Sequence, residues 1–102
     1  MSGKNHFVPA EEEELEKLAD FFSLFADSSR IKILSALDHS PLCATDMEEH
    51  LGISRTAIVH QLRKLKAAGV VKTYRDSRKT VYALDDEHIH HIFNTGLDHI
   101  RH

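Results

Sequence analysis

Apolar residues recur every three to four positions along the N-terminal part of the chain, and polar or glycine-containing breaks separate the apolar stretches. This spacing predicts helices, because side chains three and four positions apart share one helix face. The first helix has the widest apolar stripe, which can serve either as core or as a dimer surface. The four predicted helices cover residues 10–25, 28–38, 44–51 and 55–68.

Start and stop signals support these boundaries. Asp27 precedes the second helix and Ser54 precedes the fourth, and both residue types are favoured as N-caps. Thr45, with Glu48 three positions later, matches the capping-box pattern and predicts a cap for the third helix. Gly52 and Gly69 follow the third and fourth helices, where a left-handed residue commonly ends a helix.

Two β-prone runs follow the fourth helix and flank a short basic turn. They are rich in Val, Thr and Tyr, which predicts a β-hairpin over residues 70–75 and 80–84. A hairpin directly after a helix-turn-helix is a wing, so the predicted fold class is mainly α with a small β-hairpin, a winged helix-turn-helix. The helix-turn-helix covers residues 44–68 and the wing covers residues 70–84.

Length and composition predict one domain, residues 1–102, in which residues 1–8 lack periodicity and are expected to form a flexible tail. Hydrophobic residues make up 41% of the chain, enough for a small core that a homodimer interface would help to stabilise. No apolar run suits a transmembrane helix or a signal sequence, so a cytoplasmic protein without a membrane partner is expected. The single Cys43 cannot form an internal disulfide, which fits a reducing compartment.

The net charge of −3 conceals a strongly basic centre. Residues 54–79 contain eight Lys and Arg against Asp76 alone, a net charge of +7, whereas the rest of the chain carries −10. Because this segment coincides with the fourth helix and the wing, it predicts contact with double-stranded DNA; the alternative is an ordinary solvated charged surface. The candidate DNA-binding residues are Ser54, Arg55, Thr56, Val59, His60, Arg63, Lys64, Arg75, Arg78 and Lys79.

The last segment, residues 86–102, predicts a helix with four metal-competent side chains, Asp86, His88, His99 and His102. His88 and His99 share one helix face but lie roughly 16 Å apart along the axis, so one chain cannot bring both to a single ion. Two copies packed antiparallel would place Asp86 and His88 of one chain beside His99 and His102 of the other. Two-fold symmetry would then produce two sites per dimer.

Three His and one Asp form a closed ligand set that suits Zn(II). Gly96 lies on the same face, and a glycine within a helix suggests close approach of a partner helix. Because the chain holds nine His, surface residues without a metal role are the alternative. An enzyme is not expected, because four protein ligands leave zinc no open position and no separate base or nucleophile lies beside them.

The chain resembles the ArsR/SmtB family of winged-helix metal-sensing repressors over nearly all of its length. The resemblance is carried by Phe25–Leu34, by Leu51–Val71 and by an Asp-x-His-x10-His-x2-His pattern from Asp86 to His102. That last pattern is typical of the branch of zinc and cobalt efflux repressors. The resemblance implies an apo dimer that binds an inverted-repeat operator and loses affinity for it when Zn(II), or Co(II), binds. No small-molecule substrate is expected.

The resemblance also implies a route from the metal to the DNA. His99 would bind the metal through one ring nitrogen and would hold a backbone carbonyl near Gly69, at the end of the fourth helix, through the other. Such a contact would couple the two binding events, and DNA would then weaken zinc binding by the same factor.

The chain departs from the family at a second site that uses a Cys-x-Cys pair on the third helix. Only Cys43 is present there, so a thiolate site is not expected and Cys43 is expected to be a small buried side chain. His90 and His91 are expected to be ordinary surface or packed residues, although they or His6 could add ligands in a nickel sensor. The remaining alternatives are a winged-helix repressor that responds to nickel or a thiol-reactive species, and a metal-independent DNA-binding protein.

Overall fold

The structure, a computed structural model, describes residues 8–102, so the expected flexible tail lies outside this range except for Val8. Five helices and three short strands follow one another within it, and the boundary of each predicted helix is correct to within two residues. The elements are α1 (Glu12–Ser23), α2 (Ser28–His39), β1 (Leu42–Cys43), α3 (Ala44–Leu51), α4 (Arg55–Ala67), β2 (Val71–Asp76), β3 (Lys79–Leu84) and α5 (Glu87–Arg101).

Polar side chains begin two of the helices as predicted. The Asp27 carboxylate accepts a hydrogen bond from the backbone N–H of Arg30 at 3.0 Å, and the Ser54 hydroxyl accepts one from the N–H of Ala57 at 3.2 Å. Each contact satisfies a backbone donor that the first turn of a helix leaves without a partner. These caps set the starting points of α2 and α4. The basic residues lie on α4 and the wing, and α2 packs against α4.

The predicted capping box at the start of α3 is wrong. The N-cap position belongs to Cys43, which has an extended backbone, and Thr45 lies inside the first turn. Thr45 and Glu48 instead accept hydrogen bonds from the guanidinium of Arg55 on the next helix. Thr45 and Glu48 therefore bind Arg55 of α4 and do not form the predicted cap of their own helix.

A third strand, β1, adds to the predicted hairpin. It pairs antiparallel with β3, with Leu42 opposite Tyr82 and Cys43 opposite Val81, so the order across the sheet is β1-β3-β2. A two-residue strand has no alternation to detect, which is why the sequence pattern missed it. This pairing holds the N-terminus of α3 against the base of the wing.

The core lies where α2, α3, α4 and the base of the sheet meet. One face of α4 is buried in this core, and Ile89 adds a side chain from α5. None of the described helices is both long and apolar enough to cross a membrane. The most fully buried large side chains are Ile33, Leu34, Met47, Ile58, Leu62, Leu65 and Val70.

The first helix contributes no fully buried residue, although its apolar stripe is wide. Leu15 is 52% exposed and Phe22 is 51% exposed in the single chain. The sequence left two roles for this stripe, core or dimer surface. Because the single chain leaves most of the stripe uncovered, the dimer surface is the role that agrees with the structure. An apolar surface of this kind usually marks an association site.

Gly52 ends α3 in the left-handed region with φ +66°, and a Cβ built there meets no atom within 4 Å. Gly52→Ala should therefore destabilise the fold through backbone strain alone, by about 1 kcal/mol. Urea unfolding followed by circular dichroism measures this change. Gly52→Asn is the matched control, because Asn tolerates the left-handed region better. An alanine variant as stable as wild type would contradict the assignment.

Candidate functional site

The outer face of the helix-turn-helix carries the predicted DNA-binding residues of α4. Ile58, Leu62 and Leu65 occupy the inner face, which turns the intervening positions outward. Among the predicted residues Val59 is half-buried, and the others are exposed: Ser54, Arg55, Thr56, His60, Arg63 and Lys64. The helix thus presents a polar and basic face of the kind that enters the major groove.

Arg55 has a second task that the sequence did not reveal. Its Nη2 donates to Thr45 Oγ1 at 2.7 Å, and its Nε donates to Glu48 Oε1 at 3.1 Å. This ion pair is partly exposed, so it contributes little to stability, but it fixes where the guanidinium points. Arg55 therefore connects α3 to α4, and part of its charge is neutralised before any DNA is bound.

The wing brings the remaining predicted cations to the same side of the molecule. Arg75 donates to Thr80 Oγ1 and to the carbonyl oxygen of Arg78, both at 3.3 Å, so its guanidinium lies along the turn. A cleft of about 320 Å³ separates the wing from α3 and the start of α4, and Arg55, Arg78 and Lys79 line it. Three cations around one cleft suit a phosphate group.

Cys43 and Asp46 also line this cleft. Cys43 is buried, as predicted, and its thiol donates to Asp46 Oδ2 at 3.2 Å. Because the Asp46 carboxylate also lines the cleft, the cleft is less positive than its Lys and Arg content suggests.

At the start of α5, Asp86 and His88 come together as predicted. Asp86 is the N-cap and accepts hydrogen bonds from the N–H groups of His88 at 2.9 Å and Ile89 at 3.4 Å. Its second carboxylate oxygen lies 3.4 Å from His88 Nδ1. The hydrogen bond to the His88 side chain, with those from the backbone, holds the pKa of Asp86 below its usual value. Both side chains are exposed, so each can reach a ligand outside the chain.

His99 and His102 lie at the opposite end of α5, one turn apart and both exposed. Because the helix is continuous from Glu87 to Arg101, the two ends stay roughly 16 Å apart along its axis. Within the described part of a single chain, no three His, Cys, Asp or Glu side chains converge on one point. The donor set fits Zn(II) in its chemistry, but each end supplies only two of the four ligands.

The expected contact between His99 and the backbone near Gly69 is not present in the single chain. Within residues 8–102, α5 packs on α2 and β3, and the N–H of Gly69 bonds to the carbonyl of Lys66. The imidazole of His99 makes no hydrogen bond to that segment.

An apolar groove runs between α1 and α5. It has a volume of about 360 Å³, and Ile100 at its end is 80% exposed. Gly96 lies in its floor, and a Cβ built there meets no atom within 4 Å. The groove is lined by Phe22, Phe25, Ile31, Ile92, Phe93, Gly96, Leu97 and Ile100.

A polar cluster between α2 and α5 was not predicted. The Asp38 carboxylate contacts His90 Nδ1 at 2.5 Å and accepts a hydrogen bond from the Asn94 amide at 3.0 Å. Burial raises the pKa of Asp38, but the contacts with His90 and Asn94 outweigh burial and keep that pKa below its usual value. The spacing of His90 and Asn94 places them on one helix face, yet nothing local points to a partner on α2.

Comparison with known proteins gives a consistent result. Residues 27–73 match the family model described as "Bacterial regulatory protein, arsR family". A transcriptional repressor SmtB homolog from Synechocystis is 35% identical over 87% of this chain and 67% of its own length. The transcriptional regulator NmtR of Mycobacterium tuberculosis is 32% identical over all of this chain and 86% of its own length.

Solved structures agree with these sequence relatives. The solution structure of apo-NmtR superposes with a TM-score of 0.81 at 32% identity, over all of this chain and 87% of that one. A homodimeric winged helix-turn-helix DNA-binding domain from Mycobacterium bovis also has a TM-score of 0.81, at 18% identity over 93% of this chain and 91% of its own. The predicted fold class is therefore confirmed.

The Asp38 cluster predicts how stability depends on pH. Because folding lowers the pKa of Asp38, its carboxylate stabilises the native state above about pH 4, and this contribution disappears as the pH falls through the lower native value. Asp38→Ala should cost about 1–3 kcal/mol near pH 7, and the difference from wild type should shrink between about pH 5 and pH 3.

Urea unfolding across this pH range measures the difference. Asp20→Ala, at an exposed position of α1, controls for the loss of a negative charge. A wild-type advantage over Asp38→Ala that stays constant down to about pH 3 would contradict the role given to Asp38.

Proposed function

The chain belongs to the ArsR/SmtB family of transcriptional regulators, and we propose that it is a dimeric repressor whose affinity for operator DNA falls when Zn(II) or Co(II) binds. The observation that carries this proposal is the placement of two ligand pairs at opposite ends of one straight, exposed helix. Family membership also agrees with the prediction of a regulator rather than an enzyme.

The dimer forms through the apolar surfaces of α1 and α5. The groove between these helices exposes apolar side chains to water. In a two-fold dimer, the same two helices of a second chain pack against it and bury these side chains. The M. bovis domain, which has the same fold, is a homodimer. Gly96 in the groove floor lets the partner's helix approach closely.

DNA binds on the opposite side, across α4 and the wing. The recognition helix α4 enters the major groove with its exposed N-terminal half, and two copies in the dimer read the two halves of an inverted repeat. Arg75, Arg78 and Lys79 contact phosphates or reach the minor groove beside each half-site. The cleft at Arg55 accepts a backbone phosphate between the wing and α4.

The metal binds where two chains meet. Asp86 and His88 of one chain and His99 and His102 of its partner hold the ion, which gives two sites per dimer. A bound Zn(II) ion supplies four strong bonds that lock the relative position of the two chains. Asp86 keeps one carboxylate oxygen on the backbone of α5, so helix capping orients the other oxygen toward His88 and the metal.

Release of DNA follows if the metal-bound dimer holds its recognition helices in positions that suit the operator poorly. The family resemblance assigns this coupling to His99 and a backbone carbonyl near Gly69. The single chain keeps His99 exposed, so this contact needs a change in α5 when metal binds. Coupling in such systems is typically about 1–3 kcal/mol, or roughly 5- to 150-fold in affinity.

The test is DNA binding by fluorescence anisotropy at fixed salt, on a duplex selected in vitro with the zinc-free protein. One equivalent of Zn(II) per site should lower wild-type affinity roughly 5- to 150-fold. His99→Ala/His102→Ala should bind DNA normally without metal and should not respond to zinc. Asp86→Asn keeps the cap but loses the charge, so it should respond only at higher zinc concentration.

His50→Ala/His91→Ala is the matched control, because it removes two exposed His that belong to neither ligand pair. It should respond as wild type does. If wild type binds DNA equally with and without zinc, zinc sensing is wrong while DNA binding stands. Release by Ni(II) or by a thiol-reactive compound would then identify another inducer.

Gly96→Ala tests the dimer surface. In an isolated helix this change stabilises by about 1 kcal/mol, and the single chain has room for the methyl group. If a partner helix packs against Gly96, the dimer dissociation constant should instead rise about tenfold, as measured by sedimentation equilibrium. Thr95→Ala, one position away, should leave the dimer unchanged. A tighter Gly96→Ala dimer would contradict the proposed packing.

A further inference from the structure

The sensor helix α5 is attached to its own chain by few contacts. Ile89 is the only buried residue of α5. His90, the residue directly after Ile89, and Asn94, one turn further along, both contact Asp38 near the end of α2. The Asn94 amide also donates to the carbonyl oxygen of His90 at 2.9 Å, which holds the two residues of α5 in one unit. We call Asp38, His90 and Asn94 the α2–α5 clamp.

The contacts of the clamp restrict rotation of α5 about its own axis. The Asp38 side chain is only 15% exposed, whereas the His90 side chain is 48% exposed. A carboxylate that has lost most of its water must keep its partners, because leaving it unsatisfied costs free energy. Rotation of α5 away from Asp38 would remove both partners together. The clamp lies between the two ligand pairs, close to His88.

The N-terminal end of α2 also has a polar side-chain contact, in this case with the recognition helix α4. Arg30 Nε donates to Gln61 Oε1 of α4 at 2.9 Å, and the Arg30 side chain is only 17% exposed. Asp27, the N-cap of α2, lies 3.9 Å from the same guanidinium. Between the clamp and Arg30, the buried Ile33 and Leu34 pack α2 into the core. The helix therefore has a specific polar contact to the sensor helix at one end and to the recognition helix at the other.

We propose that the α2–α5 clamp is a positioning device that transmits the setting of the sensor helix through α2 to the recognition helix. This inference rests on the proposed function and adds a second route beside the contact expected from His99. His90 acts as a positioning residue and does not bind the metal. In this proposal, metal binding fixes α5 relative to the partner chain. Because the clamp joins α5 to α2, a shift of α5 also displaces α2. The Arg30–Gln61 contact then transmits that displacement to α4.

The measured quantity is the ratio of DNA affinity without zinc to DNA affinity with zinc, in the intact dimer. Asp38→Ala and His90→Ala should each lower this ratio roughly 3- to 10-fold, because the sensor helix is then free to move alone. The double variant Asp38→Ala/His90→Ala should lose no more than Asp38→Ala alone, because Asp38→Ala already removes the contacts with both His90 and Asn94. Gln61→Ala, at the far end of α2, should lower the ratio as well.

Two variants serve as controls. Asp38→Asn has the same shape and can still hydrogen-bond to His90, so it should restore most of the ratio. His91→Ala removes the neighbouring His, whose ring contacts that of His90 but which is not bonded to Asp38, and should leave the ratio unchanged. Thermal unfolding confirms that each variant is folded, and zinc titration with a competing chelator counts the bound ions.

The outcomes separate the possibilities. Two zinc ions per dimer with a reduced ratio support the clamp. If Asp38→Ala and His90→Ala weaken DNA binding equally with and without zinc, the clamp is only structural and the inference is wrong. If His90→Ala loses bound zinc, His90 is a ligand and the inference is also wrong. If zinc has no effect on wild type, the proposed function itself fails before any variant is compared.

Discussion

The rigid length of α5 is the constraint on which the sensing half of this molecule depends. A continuous helix from Glu87 to Arg101 keeps its two ends roughly 16 Å apart along the axis, far beyond the reach of one metal ion. Asp86 and His88 therefore cannot share an ion with His99 of the same chain. Any site that uses all four residues must be built by two chains, so the proposed metal binding would depend on the geometry of the dimer.

The same helix buries only one residue, Ile89, against the rest of its own chain. Its specific contacts are Ile89 with the core and the α2–α5 clamp with α2. Its apolar groove face is uncovered in the single chain. By contrast, α2 is packed on several sides and joined by Arg30 to α4. If the α2–α5 clamp holds, a displacement of α5 therefore has to include α2, which is joined to α4.

The DNA-facing side shows how one side chain can serve two purposes. Arg55 stands at the start of α4, among the exposed cations of this helix and the wing, yet its guanidinium is oriented by Thr45 and Glu48 of α3. This arrangement fixes the guanidinium between α3 and α4, which would reduce the entropy lost on binding of the proposed phosphate in the cleft. The basic centre of the chain is thus partly structural as well as electrostatic.

The sequence by itself determined the helices, the hairpin and the placement of the four candidate ligands at the two ends of α5, because periodicity, N-caps such as Asp27 and Ser54, and helix rise act within one or two turns. Only the tertiary structure decided the pairing of β1 with β3, the use of Thr45 and Glu48 by Arg55, and the contact of Asp38 with His90. These partners are brought together from separate elements, 52 positions apart in the case of Asp38 and His90. No local pattern specifies such a pair, because its geometry exists only after the core has packed and set the distance between the two helices.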